Sequence, residues 1–234
     1  MSSDLHFEGG ATSAALQLTV SPRARVLRLK VDPRTGTVTL TVPRRVSRRK
    51  ALEWAAGHRE WVETQLAKIP PPERLGPGSV LPLYDRPHAI DWSPERSRIV
   101  RLEEGRIVAG GPAEGLEARI LRWLKRHALD VLSLETAEYA AAAGVGVTKV
   151  AVGDPLSRWG SCSSSGAIRY SWRLILTPEH VRRATVAHEV AHRVHMNHGA
   201  EFHALVEQLF GNDPAPARHW LRRHGASLHR IGRP

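Results

Sequence analysis

Between Val186 and Val194 two sets of residues recur at intervals of four: Val186, Val190 and Val194 in one set, His188 and His192 in the other. An α-helix brings positions four apart onto one face, one turn up, with about 6 Å of rise. The segment therefore reads as a helix that buries a valine stripe and turns two imidazoles towards a cleft. Thr177-Pro178-Glu179 supplies its start, with Pro in the first turn. The helix is expected to reach about Met196. Asn197-His198-Gly199 breaks it, and a shorter helix follows from Ala200 to Phe210.

His188-Glu189-Val190-Ala191-His192 is an H-E-x-x-H pattern. Its two imidazoles can converge on one zinc ion at roughly 2.0–2.1 Å each. Glu189, next to the first ligand, reaches the water that the ion activates and can act as its general base. A catalytic zinc needs a third protein ligand. His195 would continue the helix about 10.5 Å along the axis from His188, too far to share an ion with both others. His198 lies past the break, where a turning chain can bring it back. Glu207, on the following helix, is the alternative; His198 would then be a supporting or substrate-contacting group. His180, His219, His224 and His229 read as surface residues, His195 and His203 as neighbours of the site. Cys162 reads as a small buried residue rather than a nucleophile. The spacing of the three histidines equals that of the metzincins. Those enzymes place Gly where this chain has His195, and they need a later Met-containing turn that is not identifiable here.

The rest of the chain reads as α+β. Residues 1–20 look like a flexible tail. RVLRLKV and TVTLTV alternate around Asp32-Pro33-Arg34-Thr35-Gly36, a hairpin signal. Ser47 is a plausible N-cap for a helix to about Lys68, with Leu52, Trp54, Trp61, Val62 and Leu66 as apolar contacts. Ile69-Pro70-Pro71-Pro72 stops it. Short strands follow over 79–109. A long helix to Ala143 repeats Leu116, Ile120, Leu124, Ala128 and Leu132, and Gly144 ends it. VTKVAV is a strand, RWGSC leads into a turn at Gly166, and AIRYSWRLIL is a strand with alternating apolar residues. The organisation reads as a tail (1–20), a basic β/α module (21–110), a catalytic domain (111–212) and a basic tail or helix (213–234).

Composition adds limits. The net charge is +11, but residues 71–210 are nearly neutral. Residues 21–70 hold 12 basic residues against 4 acidic, and 211–234 hold 5 against 1. One cysteine excludes an intrachain disulfide and makes a cytoplasmic location the expectation. No apolar run approaches the roughly 18–20 residues of a membrane span. The first residues lack the basic and apolar regions of a secretory signal.

The segment from Arg158 to Phe210 resembles the YgjP-like metallopeptidases, relatives of the SprT and Spartan zinc proteases. The resemblance rests on Arg158-Trp159-Gly160-Ser161-Cys162, the strand into Leu174, His188-Glu189 with His192, and Asn197-His198-Gly199 before Glu201-Phe202. It extends to the basic hairpin, Val42-Pro43 and the helix with Trp61. It departs at His203, where many members carry an aromatic. The resemblance implies a zincin-like core with one Zn2+ ion, His198 as third ligand, and a strand edging the cleft. An extended peptide could add to that strand's open edge, with Arg158 and Trp159 near it. Tyr170, His195 and Arg173 are candidates to hold the oxyanion.

Peptide-bond hydrolysis is thus the first expectation. A zinc-dependent hydrolase of a phosphoanhydride such as UTP is the second, because that activity is attributed to the family and basic flanks suit a polyanion. The third is nucleic-acid association through Arg44, Arg45, Arg48, Arg49 and Lys50, since SprT-like relatives act on DNA-bound proteins.

Overall fold

The computed structural model describes residues 5–33, 35–69 and 73–232. The chain divides into two compact units, residues 1–72 and 73–234. That division falls inside the 21–110 stretch that reads as one module from sequence. The reason is packing: Leu81, Leu83, Ile90 and Ile107, from the strands after residue 79, share a core with Ile120 and Leu124.

The first unit is a four-stranded sheet with two helices. Strands β1 (His6–Gly9), β2 (Thr12–Ser21), β3 (Arg28–Val31) and β4 (Val38–Pro43) lie in the order β1-β2-β4-β3. The expected hairpin is present as the antiparallel pair β3/β4. Of the expected tail over 1–20, residues 1–4 lie outside the described residues, and the rest is not a tail. Its residues 6–9 and 12–20 are strand, because β2 alternates along its length and pairs parallel with β4. The expected helix to Lys68 is two, α1 (Arg48–Ala56) and α2 (Arg59–Ala67), separated at Gly57 and His58. Ser47 caps α1, its hydroxyl accepting from the Lys50 N–H at 3.4 Å. Val62 and Leu66 are buried, whereas Trp61 stands exposed.

The second unit carries the site. Strands β5 (Val80–Leu83), β6 (Arg86–Ser93), β7 (Arg101–Glu103) and β8 (Arg106–Gly110) form a sheet in the order β5-β6-β8-β7. Helix α3 (Leu116–Ala143) buries Leu116, Ile120, Leu124, Ala128 and Leu132, the residues its period selects. Gly144, at φ 65°, ends it in the left-handed region where glycine is unstrained. A three-stranded sheet follows: β9 (Lys149–Gly153), β10 (Gly160–Cys162) and β11 (Ala167–Ser171), in the order β10-β11-β9. Helices α4 (Glu179–Ala191), α5 (Ala200–Phe210) and α6 (Ala215–Leu228) complete the unit.

Two expectations about length need correction. The strand expected to run to Leu176 stops at Ser171, and Trp172–Leu176 is a 3-10 turn. Arg173 and Ile175 are as fully buried as Trp172 and Leu174, so the alternation does not mark a two-faced strand here. Arg173 donates to Asp154 at 2.8 and 3.0 Å and to the Leu228 and Ile231 carbonyls at 2.6 and 2.7 Å. It is structural, not an oxyanion partner. Likewise α4 ends at Ala191 rather than near Met196. Val186 and Val190 are fully buried, but Val194 lies past the end and is exposed.

Site helix α4 is anchored to α3 by a buried ion pair. Arg182 Nε donates to the two Glu135 carboxylate oxygens at 2.9 and 3.1 Å. No described helix is long and apolar enough to cross a membrane.

Candidate metal centre

The centre is built where α4 stops. His188 is on its last turn, Glu189 follows, and His192 occupies the C-cap. The chain then turns tightly, with Arg193, Val194 and His195 donating their backbone N–H groups to Val190, Ala191 and Ala191. The turn brings His198 back over α4. Ligand atoms of His188, His192 and His198 lie within 4.8 Å of one another. The Nε2 atoms of His188 and His198 are 3.3 Å apart. Two nitrogens at roughly 2.0–2.1 Å from a tetrahedral ion stand about 3.3–3.4 Å apart, so the spacing fits a shared zinc. Glu207 is exposed on α5 and stands outside this cluster.

The rings are held in position. Nδ1 of His192 lies 3.1 Å from the His195 carbonyl, which turns Nε2 towards the other two imidazoles. Phe202, fully buried on α5, meets all three rings, with centroids 4.9, 4.5 and 4.7 Å from His188, His192 and His198. Sequence reasoning used Phe202 only as part of the family pattern; its fixed place after His198 in that pattern was the available signal. Burial pushes the His188 pKa down to about 4, helped by His192 and His198 beside it. Burial also lowers His192. Both rings are therefore neutral near pH 7 with free lone pairs, the state that binds a metal.

Glu189 is 5% exposed, and burial pushes its carboxyl up to about 7 against the opposing influence of Arg158. That lies in the range of a general base working near neutral pH. Its neighbour explains a glycine. A Cβ at Gly160 would collide with the Glu189 carboxylate. Gly160→Ala is expected to swing the carboxylate aside and lower kcat about 100-fold while metal content stays unchanged. Steady-state kinetics beside metal analysis checks this.

The remaining expected residues separate. Arg158 and Trp159 line a cavity of about 240 Å³ together with Gly160, His188 and Glu189. Tyr170 does not face it: the side chain is fully buried, its hydroxyl is 3.0 Å from that of Thr136, and burial pushes its pKa up. His195 faces another pocket with Glu201, 3.8 Å away, and serves the centre through its backbone carbonyl. Burial raises the Cys162 thiol, which disfavours a thiolate nucleophile. His229, read as a surface residue, is buried with its ring 5.3 Å from that of Trp159. Arg218 on α6 also lines the cavity, a residue that net charge alone could not single out. In the first unit, Arg44, Arg45, Arg48, Arg49 and Lys50 are exposed where β4 leads into α1, and Arg49 pairs with Glu53 at 3.3 Å.

A family model described as YgjP-like, metallopeptidase domain, matches residues 25–224. No curated protein matches the chain, and no solved structure does.

Proposed function

Because the chain belongs to the YgjP-like metallopeptidase family, we propose that it is a zinc-dependent peptidase with a zincin-like core, its ion held by His188, His192 and His198. The observation that carries this reading is the 3.3 Å approach of the His188 and His198 nitrogens beside a buried carboxyl raised to about 7. Zinc held by those imidazoles would polarise the scissile carbonyl and lower the pKa of the attacking water.

The chain's own groups supply the rest. Glu189 accepts the proton of the attacking water on a carboxylate oxygen and then delivers it to the leaving amine. Its raised pKa suits both transfers, since neither proton capture nor release is strongly uphill. Strand β10 is the edge of its sheet, and its Gly160 packs on Glu189. An extended peptide hydrogen-bonded along that edge would pass the carboxylate. Arg158 and Trp159, just before β10, would flank the bound segment.

Casein and UTP, offered side by side to zinc-loaded and chelator-treated protein, test the reading. Casein cleavage that chelator abolishes and added zinc restores is expected. Zinc-dependent UTP hydrolysis without any peptide cleavage would overturn it and favour a phosphoanhydride hydrolase.

A further inference from the structure

Proton transfer at Glu189 does not require Arg158 or Arg218, nor the shape of the cavity that they border. Resting on the peptidase reading, we propose that this cavity selects peptides in which a bulky apolar side chain adjoins an acidic residue.

The walls and the charges point to the same occupant. Helix α6 presents Ala217, Arg218 and Leu221 to the cavity, joined by its N-cap Pro214. These positions follow i, i+3, i+4 and i+7, a single helical face. Ala184 on α4 and Val206 on α5 add further apolar surface. A volume of about 240 Å³ takes one large side chain rather than a chain segment. The arginines are exposed and come from separate elements, Arg158 before β10 and Arg218 on α6. Glu189 is the one acidic residue in the lining, and it is buried, whereas both arginines are exposed. The rim therefore favours a carboxylate while the interior favours an aliphatic or aromatic group.

The α6 wall is fixed against the cleft. Gly225 lies so close to Trp159 that a Cβ there would stand 2.7 Å from Cζ2 of the indole. Trp159 also meets His229. Helix α6, in the basic stretch after residue 212, thereby borders the cavity rather than forming an appended tail.

Binding, separated from cleavage, is the test. Zinc-loaded Glu189→Gln protein is titrated by fluorescence anisotropy with labelled peptides that differ only in a Leu-Asp or Leu-Lys pair. The Asp peptide is expected to bind about tenfold tighter, as attraction to the rim replaces repulsion. That preference should shrink at high salt. Arg218→Glu in the same background should remove or reverse it, and Ser in place of Leu should weaken both peptides. Arg158→Glu is a second variant with the same expectation. Equal affinities, a preference that survives both charge reversals, or no binding by either peptide would overturn the proposal. So would displacement by UTP at lower concentration than by the Asp peptide. Cleavage by the wild type reports separately on the peptidase reading, so either can fail without the other.

Discussion

Glu189→Gln is expected to lower kcat by about 10²–10⁴-fold, with one metal ion still bound and KM little changed. In barrier terms that is about 3–5 kcal/mol. Glutamine has the shape of glutamate, so it keeps the packing against Gly160 that a larger change would disturb. It cannot accept the water's proton. The substitution also leaves the three imidazoles in place, because Glu189 is not among the converging ligands. Equal effects on kcat and kcat/KM would mark an interaction made only in the transition state. Kinetics and zinc analysis on one preparation decide it. Full activity in this variant would remove Glu189 from the mechanism.

Much of the second unit was legible because its elements are strongly patterned. The period through Leu116 to Leu132 marks α3, and Gly144 marks its end; both hold in the structure. The two imidazoles at four-residue spacing have ligand atoms within 4.8 Å of each other and of His198. The third was legible only as a choice between His198 and Glu207, since spacing alone does not say how a chain turns after a break. The breaking point itself was misjudged. Val194 continues the valine stripe in sequence, yet α4 stops at Ala191, and the tight turn that follows brings His198 back. Tyr170 and Arg173 show another limit. Both types are common in active sites, but here each is satisfied by other partners, Thr136 in one case and Asp154 with two carbonyls in the other. Such partners are distant in sequence and have no local signature. The same holds for Arg218, which lines the cavity, and for His229, which meets Trp159, both brought there by the packing of α6 beside α4. The first strands were missed because β1 is only four residues long and β2, although it alternates, finds its parallel partner β4 far along the chain.

Metal content after ligand deletion tests the centre most directly. His198→Ala removes the imidazole that lies 3.3 Å from His188, leaving two nitrogens where a zinc site of this kind uses three. Loss of a group that merely orients a ligand costs about 10–100-fold in affinity, so loss of a ligand should cost at least about 100-fold. Glu207→Ala changes an exposed side chain outside the cluster and should leave binding intact. Wild type, His198→Ala and Glu207→Ala, each equilibrated against one zinc buffer and analysed for metal, give the decisive comparison. The arrangement of His188, His192 and His198 predicts one zinc in the wild type, one in Glu207→Ala and little or none in His198→Ala. One zinc retained in His198→Ala, with loss in Glu207→Ala, would contradict it.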